Sequence, residues 1–451
     1  MRNLFAIRGL AFTAAFIMYL AYTVYPVDFL WTSLTYVSLF LFFTAFIGSG
    51  KFYFLVSTLL IVCSIFVVML NGESILHMMA GFADLLKLIL FISLIPLISY
   101  PAGEFVKDLK VLVAMLNKKA PAYKLAHYFS FFLANLINLA AIPIAKVIFI
   151  HKEQQKDRQA ITAELIGRSF GIAMMITPVG AAIAMAIDLT GTKWITILPI
   201  NLVLVVVGLW LSYYMAKRKM RFEDAAEKSV EYDGNLNKRR LILVFAPLCG
   251  YFLFLFLVEW LFHFGIMETI VVSVLPFTFI WSVCLKDAKG WYEGLIVRIF
   301  KENPRSFGLY AIIISASLFI HTLEVTGIDH VVMQHLPWIG VEGAVYFYIP
   351  ATMLFILALS SVGVHQFIGM IFAAKLINPE LFGMDEAVFS SALLVGFVAG
   401  MQGSPFSGAN ILISGLLPQL SSYEIGKNNG VYVLLWICIS SILLICINQF
   451  I

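Results

Sequence analysis

Apolar runs of about 20 residues, long enough as helices to cross roughly 30 Å of hydrocarbon, recur from one end of this sequence to the other. With 61% hydrophobic and only 12% charged residues, the chain has too little polar surface to cover a water-soluble core. Helices satisfy every backbone donor and acceptor within their own segment, so the pattern predicts an all-α polytopic membrane protein. Runs and breaks place about eleven spans, near 9–25, 28–48, 52–70, 79–100, 163–190, 194–216, 241–264, 266–285, 306–322, 386–416 and 430–450. The start, MRNLFAIRGLAFTAAFIMYLAYTVYPVDFL, is basic like a signal peptide. No small-x-small cleavage site follows and a second apolar run comes at once, so a retained first span is expected.

Two further apolar segments, 121–150 and 343–376, are interrupted near their middles by LANLINLAAIP and LALSSVGVHQ. Each is long enough for two short helices and reads as a re-entrant hairpin, since irregular backbone at membrane depth survives only against protein or water. The distribution of basic residues tests this topology. With the N-terminus cytoplasmic and the hairpins counted as no crossing, the inner segments are 101–120, 151–162, 217–240 and 286–305. They hold Lys217, Arg218, Lys219, Arg221, Lys238, Arg239 and Arg240. The outer segments 323–342 and 377–385 carry Glu324, Asp329, Glu342 and Glu380 and no Lys or Arg. Counting either hairpin as a crossing would mix the two kinds of loop. The expected location is the cytoplasmic (inner) membrane, with an external C-terminus.

The halves repeat one order of elements. After an N-terminal first span (1–27), repeat 1 covers 28–216, a basic cytoplasmic loop covers 217–240, and repeat 2 covers 241–451. In repeat 1 the hairpin 121–150 leads to the span 163–190, containing MMITPVGAAIAMAI, and then to one more span. In repeat 2 the hairpin 343–376 leads to 386–416, containing MQGSPFSGANILIS, and then to the last span. An odd number of spans per repeat makes the copies opposite in topology. Paired interrupted helices in inverted repeats mark a transport site near the midplane.

Pro178 removes a backbone donor and Gly180 adds freedom, so 163–190 is expected to unwind around 177–181. Gly403, Pro405 and Gly408 around Ser404 and Ser407 make the same case for 403–408. Freed carbonyls with hydroxyls from Thr177, Ser404 and Ser407 suit a hard cation such as sodium, and freed N–H groups at half-helix starts suit an anion. A proline kink without a ligand is the competing reading for either motif alone. The hairpin tips add Asn135 and Asn138 in one copy, and Ser360, Ser361, Gly363 and His365 in the other. In lipid such groups face protein or a water-filled cavity, or act as glue between helices. His365, Asp188 and Glu259 are candidates for proton coupling. Asp188 lies about 15 Å along a helix from Pro178, and Glu259 is expected to reach water near an outer end.

Other chemistries find little support. The five cysteines lie in or beside apolar runs and read as small buried hydrophobes. No metalloprotease, nucleophile-elbow, phosphate-loop or dinucleotide motif is present. The formal charge of +4 sits in short loops and does not suggest nucleic acid. No cofactor is expected beyond a coupling sodium ion.

About eleven spans, two opposed hairpins and an unwound helix after each resemble the divalent-anion:sodium symporters, part of a wider ion transporter superfamily. ITPVGAA is similar to the Thr-Pro-x-Gly element of that family's first unwound helix, and GSPFSGAN to the second. The family's hairpin tips carry Ser-Asn-Thr, whereas these read ANLIN and SSVG, so the dicarboxylate-contacting pattern is not reproduced. The resemblance implies that Asn135, Asn138, Thr177, Ser360, Ser361, Ser404 and Asn410 bind substrate. It implies sodium ligands among Asn138, Thr177, Gly180, Ser361, Gly363, Ser404 and Ser407. It further implies a homodimer in which the hairpins and the spans 163–190 and 386–416 move against a static scaffold.

The sequence therefore points to a secondary active transporter of elevator type, moving a small anionic solute such as an organic acid with sodium or protons. An exporter or ion/proton antiporter on the same scaffold is the alternative within the class. A membrane-embedded enzyme or lipid-handling protein using His365 is the alternative outside it.

Overall fold

The structure, a computed structural model, describes residues 2–102, 106–117, 121–150, 155–220, 238–262, 264–337, 341 and 343–451. All regular structure among them is helical, and eleven helical stretches are long and apolar enough to cross a bilayer. The protein is an all-α polytopic membrane protein.

The chain begins with α1 (Arg2–Val24), α2 (Asp28–Phe46), α3 (Lys51–Asn71), α4 (Ile75–Met79), α5 (Leu86–Leu94) and α6 (Ser99–Ala102). Next come α7 (Val106–Asn117), α8 (Ala122–Ile137), α9 (Ala141–Phe149), α10 (Lys156–Ala173), α11 (Ala181–Thr190), α12 (Trp194–Met220) and α13 (Lys238–Phe262). They are followed by α14 (Ile266–Cys284), α15 (Ala288–Val297), α16 (Phe307–Thr326) and α17 (Ile328–Gln334). The last group is α18 (Val345–Ser361), α19 (Gln366–Leu376), α20 (Glu386–Gly403), α21 (Gly408–Leu416) and α22 (Ser422–Asn448). These helices form two units, 1–100 with 267–337 and 101–266 with 338–451. Each unit is made of two separate stretches of chain.

In the first unit α16 is the central element, packed against α2 and α3. Arg8 of α1 is buried and spends its guanidinium on carbonyls, donating to Thr44 O (2.9 Å), Ile47 O (2.7 Å) and Pro304 O (2.8 Å). Two of these belong to the C-terminal end of α2, where a cation is favoured by the helix dipole. The expected span 79–100 is found as one apolar stretch, Ile75–Ile98, whose helix is interrupted between Phe82 and Leu86. Ser317 of α16 mends the gap by donating to Gly81 O (2.6 Å) and accepting from the Leu85 N–H (3.1 Å).

In the second unit α8 folds back on α9, and α18 on α19. These are the two expected hairpins. Asn138 makes the first turn with φ +50°, and Gly363 the second with φ +100°, a value an L side chain rarely adopts. α8 packs on α10, α18 on α20, and α20 on α22, while α12 touches both α20 and α22.

Several boundaries differ from the sequence reading, for identifiable reasons. Residues 123–149 pass as a span by length and composition, yet turn back at Asn138. The stretch 163–190 does not pass, because α10 carries Lys156, Asp157, Arg158, Glu164 and Arg168 and stops at Ala173. The segment 286–305, read as a loop, is helical and runs directly into α16. It is amphipathic: Trp291 is buried and donates to Thr278 Oγ1 (3.0 Å), while Lys289 and Glu293 are exposed. The last helix starts at Ser422 rather than near 430, behind a capping box of Ser421 and Glu424. Of the basic loop 217–240, residues 221–237 lie outside the described ones, and the flanks extend α12 and α13.

Candidate functional site

Both interrupted helices are interrupted where proline and glycine require it. The first stops at Ala173 and resumes at Ala181; the second stops at Gly403 and resumes at Gly408. Several of the freed groups find partners, and those partners outline the site.

At the first break Thr177 is buried, and its hydroxyl donates to the carbonyl of Asn135 on hairpin α8/α9 (2.8 Å). Asn138 returns the contact, its Nδ2 donating to Val179 O (3.1 Å). Asn135 spends its own amide on Phe131 O within α8 (2.8 Å). Gly180 donates to Thr177 O (2.8 Å) and serves as the N-cap of α11, with no side-chain cap bond. Two residues of α12 complete the break: Asn201 Nδ2 donates to Met175 O (2.9 Å) and Trp194 Nε1 to Ile176 O (3.1 Å).

The second break is built on the same plan. Ser404 is buried and donates its hydroxyl to the carbonyl of Ser360 on hairpin α18/α19 (2.5 Å). Asn429 of α22 donates through Nδ2 to Gln402 O (3.2 Å). With Pro178 set against Pro405, Thr177 matches Ser404 and Met175 matches Gln402. The hydroxyl before proline thus holds the hairpin in both copies, and an asparagine of the following long helix holds the carbonyl two residues earlier. The shared element order is accompanied by shared hydrogen bonds.

The second break also has parts of its own. Asn410 Nδ2 donates to Gln402 O (3.0 Å) and Ser404 O (2.9 Å), and Ser407 caps α21 by accepting from the Asn410 N–H (3.2 Å). The amide nitrogen of Asn410 and the Ser407 oxygen are therefore engaged within the break itself. Ser360 and Ser361 each donate to their own helix, at Ile356 O and Leu357 O (both 2.8 Å). Ser361 and Phe406 are exposed, whereas Gly363 is buried in the turn.

A charged network escapes the sequence reading. Arg168, only 1% exposed, donates through Nε to Asn429 Oδ1 (2.7 Å), pairs with Glu164 (3.2 Å) and lies 4.7 Å from the Tyr432 ring centroid. Glu164 is also held by Lys219 (2.8 Å). Gln402 Nε2 donates to Arg168 O (3.1 Å), and its Oε1 is buried without a partner among the described residues. Gly171 permits this approach, since a Cβ there would stand 2.3 Å from Gln402 Nε2. The signal was two charges inside AELIGRSFGIAMM, a costly placement at membrane depth unless paired.

The three proton-coupling candidates separate. His365 is the N-cap of α19, its Nδ1 accepting from the Phe367 N–H (3.3 Å), with its ring stacked on Phe367. Asp188 lies exposed on the last turns of α11, away from the break. Glu259 does not extend to water. It is 7% exposed and accepts the Trp194 N–H at the start of α12 (3.1 Å), which links it through Trp194 to the first break.

No protein-family model matches the sequence, and no curated protein matches it. Among solved structures the fold is similar to the YdaH transporter of Alcanivorax borkumensis, whose crystal structure is described as revealing an unusual topology. The TM-score is 0.57 at 13% identity, over 86% of this chain and 97% of that one. At that identity the likeness is one of fold.

Proposed function

We propose that the protein is a secondary active transporter of a small anionic solute, driven by a sodium or proton gradient across the cytoplasmic membrane. The observation that carries this reading is the repeated tether: Thr177 to Asn135 O and Ser404 to Ser360 O. Duplicated broken helices, each bound to its own hairpin, are costly in a membrane and have a use where solute and ions must be held away from lipid. The likeness to a structure named as a transporter agrees. The hairpin and motif resemblance to divalent-anion:sodium symporters favours inverted repeats, a homodimer and an elevator-type motion of the unit that contains both breaks. The anion is best placed at α11, whose N-cap Gly180 leaves the first backbone N–H groups without a side-chain acceptor. Asn135, Asn138 and Thr177 border that end, and Ser360, Ser361, Ser404 and Asn410 border the other break.

Thermal-shift screening of the purified protein against small carboxylates and inorganic anions, with and without sodium, tests this reading. A ligand that binds only the native state raises the melting midpoint. Stabilisation by an anion, and its loss in a Ser404→Ala/Ser407→Ala variant that still folds, is the expected outcome. An equal shift in that variant would remove the second break from the site.

A further inference from the structure

The two breaks share a plan but differ in how their polar groups are satisfied. A carbonyl oxygen has two lone pairs to offer. At the second break Gln402 O accepts from both Asn410 Nδ2 and Asn429 Nδ2, and Ser404 O accepts from Asn410 Nδ2 and the Ser407 N–H. At the first break Met175 O, Ile176 O and Thr177 O each accept one bond among the described residues, from Asn201, Trp194 and Gly180. The matched asparagines differ in the same way. Asn429 Oδ1 accepts from Arg168 Nε at 2.7 Å, whereas Asn201 Oδ1 is buried without a partner among the described residues and Asn201 itself is 0% exposed.

We infer that Arg168 is a built-in cation occupying at the second break the place that a mobile cation takes at the first. Asn201 Oδ1 is then a ligand of a single sodium ion, together with carbonyl oxygens of 175–177. The inference rests on the transporter reading and sharpens it to one ion per chain. Three considerations support it. The Asn201 amide is pinned to Met175 O, so its oxygen is held beside a cluster of half-used carbonyls, the hard oxygen set that sodium takes. A buried amide oxygen with no donor is costly to desolvate, and an ion restores its partner. A second amide oxygen beside the breaks that is buried without a partner among the described residues, Gln402 Oε1, lies in the network of Arg168, whose fixed charge repels a second cation.

Equilibrium binding of radioactive sodium to the purified full-length protein, with choline holding ionic strength constant, measures this directly. Saturation at one ion per chain is expected. Asn201→Ala should weaken binding by roughly 10- to 100-fold, with a cooperative melting transition in choline, at a midpoint lowered only by the lost bond to Met175 O, as the check on folding. Two ions per chain, none, or undiminished sodium affinity in a folded Asn201→Ala protein would overturn the inference. Should that variant fail to fold, the wild-type stoichiometry still decides. Solute exchange that persists without sodium binding would sink the single-ion site and leave the transporter reading intact. One-ion binding without exchange of any solute would do the reverse.

Discussion

Thr177 donates its hydroxyl to the main-chain carbonyl of Asn135, 42 residues away, at 2.8 Å. The residue before proline in an unwound helix thereby holds the tip of the preceding hairpin, and Ser404 does the same to Ser360. The hydroxyls that mark these motifs in the sequence are structural fasteners of the two breaks, and in the proposed transporter the solute and ion would be held largely by what they position.

Removing a fastener should therefore disturb transport more than folding. Thr177→Val keeps the shape but leaves the Asn135 carbonyl without its donor, a loss of about 1–3 kcal/mol. A small fall in melting midpoint with severe loss of solute binding is expected. A variant that transports normally would show that hairpin and break need not be joined.

Arg168 should be far less tolerant than its exposed neighbour. Arg168→Gln leaves Glu164 buried without its inner partner and Asn429 Oδ1 without a donor, at a cost of about 3–5 kcal/mol. Lys219 is 42% exposed, so Lys219→Ala should cost under about 1 kcal/mol. Melting midpoints in detergent separate these cases, and equal losses would contradict the buried network.

How much of this was legible in the sequence follows from the kind of interaction. Pro178 and Pro405 act on their own helices, so both breaks are readable from neighbouring residues. Gly363 and Asn138 sit where the hairpins turn for a similarly local reason. Asn201, Asn429 and Gln402 act across the fold, and their carbonyl partners depend on how α12 and α20 pack against α10 and how α22 packs against α20. Glu259 reads as a residue near water because its partner, the Trp194 N–H, is 65 positions away. Arg168 was detectable by its cost alone, although its role required Asn429 to be placed inside α22 rather than before it.

His365 and Glu259 each accept a backbone N–H at a helix start in this structure. Asparagine is a good N-cap, so His365→Asn should preserve stability, whereas His365→Leu should lose about 1 kcal/mol. Glu259→Gln retains an acceptor for the Trp194 N–H but cannot titrate. Transport with an unchanged pH profile in His365→Asn and Glu259→Gln is expected, and abolished coupling in either would restore it as a proton carrier.

The inverted topology expected from the sequence would put Lys110 and His335 on opposite sides of the membrane. Single cysteines in place of Lys110 and His335 should label from opposite sides in intact cells. Labelling from the same side would exclude an inverted repeat.

Uptake into proteoliposomes is the most direct test of a transport site at the paired breaks. Purified protein would be reconstituted with the anion found by thermal shift, under an imposed sodium or proton gradient. Gradient-driven accumulation by the wild type, lost in Thr177→Val/Ser404→Ala protein that reconstitutes normally, is the predicted result. Accumulation that persists in the double variant, or its absence in the wild type under either gradient, would contradict it.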